Sequence, residues 1–224
     1  DTPSVPENQQ DVVALEVTDA DSSATPTYAL SGTDSELFEV SSGTLRFASS
    51  SGQNYESLTC SANPCVVIVT ATDANSNSAS QTITVEITDF NEFDVTAPTD
   101  SNSDTNTLAE DVSNGANAKI TATASDADGT TNTVTYDISS QTCGDAFTID
   151  TNTGVVTVAN TIAIDHESSE TCQITVVAES EDTSTESTIF TVIITDVDDV
   201  APVFTNSDTP SVPENQQDVV ALEV

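Results

Sequence analysis

The sequence predicts an all-β protein built from two β-sandwich domains in tandem and the beginning of a third. Residues 1–17 recur letter for letter as residues 208–224, an offset of 207 residues (208 − 1), which indicates an internal repeat. Apolar residues alternate with polar ones in short runs, which is typical of strands with one buried face. Turn signals such as Ser-Gly and Thr-Asn-Thr-Gly separate these runs, and no helical periodicity with caps is visible.

A second, weaker repeat sets the size of the unit. Ile87-Thr88-Asp89 recurs as Ile194-Thr195-Asp196, an offset of 107 residues (194 − 87). The length of 224 residues suits two sandwich domains of about 100 residues each. We therefore predict a linear array with domains at residues 1–96 and 97–200, and the start of a third at residues 201–224.

Alternation within each unit predicts which side chains are buried. In the first unit the predicted buried faces carry Val66 and Ile68, then Ile83, Val85 and Ile87. In the second they carry Ile174 and Val176, then Ile189, Thr191 and Ile193.

The charge balance excludes several partners. The chain has 38 Asp and Glu against 2 Lys and Arg, a formal net charge of −36. It cannot neutralise a phosphate backbone, so nucleic acids and anionic membrane surfaces are not expected as partners. Acidic chains of this kind are either disordered or bind hard cations, and a hydrophobic content of 36% rich in β-branched residues argues against disorder.

Secretion and anchoring signals are not visible in this segment. The sequence has no run of 18 apolar residues and does not start with a signal peptide. We expect an internal part of a longer, membrane-anchored protein, with no membrane insertion by this segment itself.

Four cysteines leave two interpretations open. Cys60 and Cys65 flank a Ser-Ala-Asn-Pro turn, and Cys143 and Cys172 fall in the second unit. No pair has the C-x-x-C spacing of a structural zinc site. One interpretation is two disulfides, Cys60–Cys65 and Cys143–Cys172, formed in an oxidising compartment. The other is four buried thiols that act as small apolar side chains.

Acidic motifs occur in the same order in both units. The first unit has Pro6-Glu7-Asn8, Asp19-Ala20-Asp21, Asn54-Tyr55-Glu56, Asp73 and Asp89-Phe90-Asn91-Glu92; the second has Glu110, Asp126-Ala127-Asp128, Asp165-His166-Glu167 and Asp196-Val197-Asp198-Asp199, then Ala201-Pro202. This series resembles the cadherin repeat family, whose motifs are a PEN-like Glu, D-x-D, D-R-E, A-x-D and a terminal D-x-N-D-N-A-P. The resemblance runs over the whole chain.

The resemblance implies Greek-key sandwiches with Ca²⁺ held at each junction between repeats. Ca²⁺ prefers six to eight oxygen ligands, mostly carboxylates and carbonyls, which fits the acidic motifs. At the first junction Glu7 and Glu56 are expected to bridge two ions, and Asp89 with the Phe90 carbonyl to serve the middle of the linker. The expected ligands of the ion nearest the second unit, together with the remaining linker carboxylate, are Asn91, Asp126, Asp128, the Asn132 carbonyl and Glu92.

Two further sites are expected to be incomplete within this chain. The second junction would use Glu110, Asp165, Glu167, Asp196, Asp198 and Asp199, completed by the third unit. Asp19, Asp21 and Asp73 would serve a repeat upstream of the first.

The chain departs from the family pattern at several positions. Asn54 stands where D-R-E begins, and Glu92-Phe93 replaces Asp-Asn. Residues 94–96 look like an insertion before Ala97-Pro98. In the second unit A-x-D reads Ala178-Glu179-Ser180, so that ligand is lost or is replaced by Glu181 or Asp182.

Other readings of the same residues are weaker. Asp126-Ala-Asp-Gly starts like an EF-hand loop, but Thr130, Thr131 and Asp137 stand at its fifth, sixth and twelfth positions. His166, the only histidine, is interpreted as a solvent-facing bystander. One histidine, no phosphate-binding loop and few aromatic residues leave little for catalysis, so we do not expect an enzyme. Spacing alone does not rule out a glycosidase carboxylate pair.

The sequence therefore predicts a calcium-stiffened spacer or adhesive segment of an extracellular cell-surface protein, with a bacterial adhesin as the expected type. Its partners would be calcium ions, neighbouring repeats and other cell-surface proteins or glycans. The alternative is a module that directly binds a glycan, a surface through Thr-rich strands such as Thr121-Ala-Thr123, or itself. We expect Glu56→Ala to weaken the first junction most, and Asp34→Ala, outside every motif, to have little effect.

Overall fold

The computed structural model of the protein describes residues 2–20, 25–205 and 214–215. Two sequence predictions therefore lie wholly or mostly outside the described residues. One is the place of Asp21 in an upstream site. The other is the third repeat, of which only residues 201–205 and 214–215 are described.

Fifteen strands and two three-residue 3-10 turns make up the described structure. The first seven strands are β1 Ser4–Pro6, β2 Asp11–Ala14, β3 Thr27–Ser31, β4 Phe38–Ser41, β5 Thr44–Phe47, β6 Cys65–Thr72 and β7 Ser78–Thr88. The other eight are β8 Thr99–Asp100, β9 Thr107–Ala109, β10 Asn117–Thr123, β11 Val134–Gln141, β12 Phe147–Ile149, β13 Val155–Val158, β14 Thr171–Ser180 and β15 Thr185–Thr195. The 3-10 turns are Ser35–Leu37 and Thr161–Ala163.

The first seven strands form two facing sheets. One has the order β1-β7-β6-β3 and the other the order β2-β5-β4. Consecutive strands β1 and β2 belong to different sheets, and β1 pairs in parallel with β7, with Val5 opposite Ile87. The chain thus crosses between the sheets early and closes with its last strand beside its first.

The second domain repeats this arrangement and adds one strand. Its sheets have the orders β11-β14-β15-β9 and β12-β13-β10-β8, and β9 pairs in parallel with β15 as β1 does with β7. The short strand β8 lies outside β10, whereas the corresponding β2 is at the edge of its sheet. The predicted all-β class with tandem sandwiches is confirmed.

Each sandwich has its own apolar core. The first core includes Val5, Leu45 and Phe47, and the second includes Ile120, Val156 and Val192, with no buried residue shared between them. Phe38 and Phe47 stack in the first core with ring centroids 4.8 Å apart. Because each core is separate, each sandwich has an apolar driving force of its own.

The predicted buried face is right for two long strands and wrong for two others. Ile83, Val85 and Ile87 on β7 are buried, as are Ile174 and Val176 on β14. On β6 the buried residues are Cys65, Val67 and Val69 instead of Val66 and Ile68, and on β15 they are Phe190, Val192 and Ile194 instead of Ile189, Thr191 and Ile193. Both strands carry apolar residues on both faces, so alternation alone fits either register.

The prediction about Asp34 is wrong. Its side chain is only 4% exposed. Its two carboxylate oxygens accept backbone N–H bonds from Ser61 at 2.9 Å and Val66 at 2.8 Å. Burial opposes ionisation, but these bonds outweigh it and lower the pKa of Asp34. A residue outside every motif is therefore part of the framework of the first domain.

Both predicted disulfides are formed. Cys60 is bonded to Cys65 and Cys143 to Cys172, with Cα–Cα distances of 5.4 and 5.5 Å. The interpretation as four buried free thiols is therefore wrong. The two bonds close loops of very different length, 5 and 29 residues in sequence separation.

Loop length predicts unequal contributions of the two disulfides to stability. On the chain-entropy relation, replacing Cys143 and Cys172 by Ala should cost about 3.5 kcal/mol of unfolding free energy, and replacing Cys60 and Cys65 about 2 kcal/mol. Urea unfolding of the two double variants and the wild type measures both values. Equal losses, or a larger loss for the short loop, would contradict the entropic explanation.

Candidate metal centre at the domain junction

Acidic side chains from three segments of the first domain meet those of the second at the junction. Glu7 follows β1, Glu56 lies in the turn after β5, and Asp89 follows β7. Asp126 and Asp128 come from the loop between β10 and β11. Strand ends place these residues together because both β1 and β7 finish at the same end of the first sandwich, where the linker begins.

Glu7 fixes the linker to the first domain. Its carboxylate is buried, with 3% exposure. It accepts backbone N–H bonds from Tyr55 at 2.7 Å and from Phe90 at 2.8 Å. One carboxylate thus holds both the turn that carries Glu56 and the first residues of the linker.

Asp128 performs the matching role on the second domain. It is 1% exposed, and its Oδ1 accepts N–H bonds from Glu92 at 3.1 Å and Phe93 at 3.3 Å. Its own N–H donates to Asp126 Oδ1 at 3.1 Å. The linker is therefore held at both ends by buried carboxylates.

Direct contacts also join the two domains. Gly129 N–H donates to Glu56 Oε1 at 3.1 Å. Thr130 donates to Asp89 Oδ2 through its N–H at 2.7 Å and also through its hydroxyl. A Cβ atom at Gly129 would overlap the ring of Tyr55, so this close approach requires glycine.

Seven carboxylates form three linked clusters at the junction. In each cluster one oxygen from every member lies within 4.8 Å of the others. The clusters are Glu7, Glu56 and Glu92; Glu56, Asp89 and Asp128; and Asp126, Asp128 and Asp182. Because Glu56 belongs to the first two and Asp128 to the last two, the clusters form a row of three neighbouring oxygen-lined positions.

Four buried oxygens at this junction have no hydrogen-bond partner. They are Asn54 Oδ1, Asp89 Oδ1, Asp126 Oδ2 and Asp128 Oδ2, and they are the only such side-chain atoms among the described residues. Leaving a buried acceptor unpaired costs about 1–3 kcal/mol, more when it is charged. Their concentration in one place indicates a missing partner that accepts several oxygens at once.

The protein supplies no positive charge to this site. Arg46, one of its two basic residues, pairs with Glu39 at 2.7 Å, and Lys119, the other, pairs with Asp104 at 3.4 Å. Two carboxylates about 5 Å apart repel each other by about 1 kcal/mol even at the dielectric constant of water. A cation from solution is the simplest source of compensation.

The pKa values of the clustered carboxylates reflect this crowding. Burial, and then the neighbouring carboxylates Asp89 and Glu7, raise the pKa of Glu56. Burial and Asp126 likewise raise the pKa of Asp128, and burial and Glu7 raise that of Glu92. Burial also opposes ionisation of Asp89, but hydrogen bonds from Thr130 outweigh it and lower its pKa.

The donor set fits Ca²⁺. Seven carboxylates and a neutral Asn54 oxygen are hard oxygen ligands, and no described cysteine or histidine lies in the three clusters. Carboxylates that bridge adjacent positions, as Glu56 and Asp128 do, suit several closely spaced divalent ions.

Asp182 is the ligand candidate that the motifs did not fix. Ser180 occupies the A-x-D position, and Asp182, two residues later, clusters with Asp126 and Asp128. Its Oδ2 also accepts a bond from Asn91 Nδ2 at 3.0 Å. Sequence analysis named Asp182 only as one of two replacements, because a turn decides which side chain faces the site.

Residues 94–96 do not form an inserted loop. Val95 is 2% exposed and packs in the second core, and its N–H donates to Ser184 Oγ at 2.9 Å. Thr96 exchanges two 2.9 Å hydrogen bonds with Ser125. This segment is thus the first part of the second sandwich.

Two other predicted residues of the first junction are near it with different contacts. The Asn132 side chain donates to the Asp128 carbonyl at 2.5 Å. Phe90 is 63% exposed, and its N–H binds Glu7. The expected roles of the Asn132 and Phe90 carbonyl oxygens remain predictions.

The far end of the second domain carries half of a similar site. Glu110, Glu167 and Asp199 form one cluster, and His166, Glu167 and Asp196 form another. Glu110 repeats the role of Glu7 by accepting N–H bonds from His166 at 2.7 Å and Val197 at 2.6 Å. These two bonds lower the pKa of Glu110.

Several predicted residues are not brought into any described cluster. Asp165 accepts bonds from Ser168 within its own turn, and Asp73 accepts three bonds from Asn75 and Asn77. Asp19 and Asp198 are absent from the described clusters. These four assignments stay predictions.

His166 is less exposed than predicted. Its side chain is 26% exposed, and Nδ1 lies 4.0 Å from Glu167 Oε1. Together with its cluster with Glu167 and Asp196, this position contradicts the interpretation as a simple solvent-facing residue.

Comparison with known proteins identifies the second domain. The family model described as Cadherin domain matches residues 105–195. The chain belongs to the cadherin family through this domain. A search of curated proteins finds no match. Among the described residues, no helix has the length and apolar character needed to cross a bilayer.

Solved cadherin structures share the fold across both domains. A mouse cadherin-23 EC22-24 fragment is 22% identical, with a TM-score of 0.71 over 92% of this chain. A protocadherin gamma B2 fragment of domains 1–5 is 20% identical, with a TM-score of 0.74 over 100% of this chain. A human protocadherin-24 EC1-2 fragment is 18% identical, with a TM-score of 0.64 over 88% of this chain. The chain spans 66%, 44% and 94% of these fragments, respectively.

Proposed function

We propose that this cadherin-family chain is a calcium-stiffened spacer or adhesive segment of an extracellular cell-surface protein. The single observation that carries the proposal is the row of three carboxylate clusters with four partnerless buried oxygens between two domains. Cations bound there would compensate the repulsion and complete the bonding of those oxygens. The two sandwiches would then be held at one angle.

Each ligand in the proposed site has a distinct part. Glu56 and Asp128 join adjacent ion positions, and Glu7 and Asp128 fix the linker through backbone N–H bonds. The other proposed ligands are Asn54, Asp89, Phe90, Asn91, Glu92, Asp126, Asn132 and Asp182. Ca²⁺ supplies positive charge and a flexible coordination shell.

The proposal includes the domain limits and the second site. The domains are residues 1–96 and 97–200, and a third begins at residue 201. Glu110, Glu167, Asp196 and Asp199 would hold ions at the next junction when a following domain supplies the missing ligands. A linear array resists extension only if such joints are stiff.

Calorimetric titration with Ca²⁺ tests the metal site. Glu56→Gln should weaken binding by about tenfold or more, which equals about 1.4 kcal/mol or more, because Glu56 is shared by two clusters. Asp137→Asn, an exposed carboxylate on β11 outside every cluster, is the matched control and should bind like wild type. Absence of binding heat in the wild type would refute the proposal.

A glycan array tests the rival function as a direct recognition module. A spacer should bind no glycan, with or without calcium. The Thr123 hydroxyl, part of the Thr-rich strand, is already used within the domain, since it donates to Ser101 Oγ at 2.9 Å.

A further inference from the structure

An apolar groove lies along the open edge of the first sandwich, away from the metal clusters. Its volume is about 630 Å³. Its apolar lining is formed by Val13, Leu15, Val17, Tyr28, Val69 and Ile83. The neighbouring strand β2 is at the edge of its sheet, with no strand beyond it in the described residues. The groove therefore combines exposed apolar surface with unpaired strand backbone.

The same place in the second domain is closed. Leu15 corresponds to Ala122, because their N–H groups make equivalent bonds to Gly43 O at 2.7 Å and Gly154 O at 2.8 Å. Tyr28 and Tyr136 likewise occupy equivalent places, opposite Ala71 and Ala178. Ala122 and Tyr136 are buried, whereas Leu15 and Tyr28 are only partly buried.

The chain just before the second sandwich closes it. Val95 inserts into the core, Thr96 bonds to Ser125, and β8 pairs with Ala122 and Thr123 of β10. This segment contains Ala97-Pro98, and Pro98 stands 12 residues before Glu110 (110 − 98).

A segment of the same kind lies at the far end of the chain. Residues 208–224 repeat residues 1–17, so Glu214 is the copy of Glu7. Pro202 of Ala201-Pro202 stands 12 residues before Glu214 (214 − 202), the spacing of Pro98 before Glu110. By this alignment Val203 and Phe204 take the places of the two residues of β8. They are 72% and 68% exposed, and Val200 is 61% exposed.

We propose that residues 200–204 of one copy of this chain dock on the groove of a second copy. The segment would add a strand to the edge of β2 and place its apolar side chains in the groove, as residues 95–100 do for the second domain. The segment carries no charge, and Glu16 is the only charged residue that lines the groove, so the high net charge is not concentrated at the contact.

The contact is heterologous. Each copy has one donor segment and one acceptor groove at opposite ends, so association continues head to tail and does not stop at a symmetric dimer. It uses none of the metal ligands and does not depend on the proposed calcium function.

Sedimentation velocity of the full chain between micromolar and millimolar concentrations tests this proposal. The wild type should form dimers and longer assemblies as concentration rises. Phe204→Asp removes the donor, and Val17→Asp removes the acceptor at a side chain that is 46% exposed, so each alone should associate at least about tenfold more weakly. Ile162→Asp, at a side chain 91% exposed outside the groove, is the control and should behave like wild type.

Mixing the two variants gives the decisive result. Phe204→Asp keeps its groove and Val17→Asp keeps its donor segment, so together they should form dimers that do not grow further. Circular dichroism checks that both variants are folded. A wild type that stays monomeric over the whole range, or association that both substitutions leave unchanged, would overturn the proposal.

Discussion

Removal of calcium with EGTA should lower the thermal midpoint of the chain and increase the bending between its two domains. Ions that bind the folded junction and not the unfolded chain stabilise it by about 2.7 kcal/mol when their concentration is a hundred times the Kd. For domains of this size, that corresponds to a fall of about 10 °C or more. The clustered carboxylates would also repel each other once the ions leave.

The two sandwiches should stay folded after calcium is removed. Their cores share no buried residue, and each contains its own disulfide. The loss should therefore affect the junction, where seven carboxylates and four partnerless oxygens lie. Scanning calorimetry reports the midpoint, and small-angle X-ray scattering reports the distribution of distances between the domains.

EGTA already saturated with calcium is the matched control for this experiment. It should leave the midpoint and the scattering profile unchanged. If free EGTA also changes neither, the junction is held by its direct contacts, such as Thr130 with Asp89 and Gly129 with Glu56, and the metal plays no part in stiffness.

The order of the acidic motifs was sufficient to predict most of the junction. Glu7, Glu56, Asp89, Glu92, Asp126 and Asp128 all lie in the three clusters. This succeeds because each motif sits at a strand end, and the pairing of β1 with β7 brings distant strand ends together. A motif at a strand end carries long-range information that a single carboxylate in a loop does not.

Side-chain direction in irregular segments could not be predicted in the same way. Asp182 reaches the site from a turn, while Asp165 is held by Ser168 in its own turn. Whether an Asp side chain faces a cation or bonds to its own backbone depends on turn geometry, which sequence spacing leaves open. The reversed faces of β6 and β15 have a related cause, since apolar residues occupy both faces of these strands.

Asp34→Ala should be the most destabilising single substitution of a carboxylate in the first domain, in contrast to the expectation from sequence. The change leaves the buried N–H groups of Ser61 and Val66 without an acceptor. Hydrogen bonds to a charged group contribute about 1.5–3 kcal/mol each, so the unfolding free energy should fall by about 3–5 kcal/mol. These bonds hold the loop closed by Cys60 and Cys65 against the end of β3, so the loss should be largest there.

Urea unfolding as a function of pH measures this effect and identifies its origin. The pKa of Asp34 is lowered by folding, so its stabilisation is fully present above the unfolded value of about 3.9 and is lost as pH falls through the folded value. The difference between wild type and Asp34→Ala should therefore be constant near neutral pH and shrink in acid. Glu36→Ala, an exposed carboxylate two residues away, is the control and should change the unfolding free energy little at any pH. A loss at Asp34 no larger than at Glu36 would mean that the loop is held by the disulfide alone, and a loss independent of pH would mean that packing, and not the charge, is what Asp34 provides.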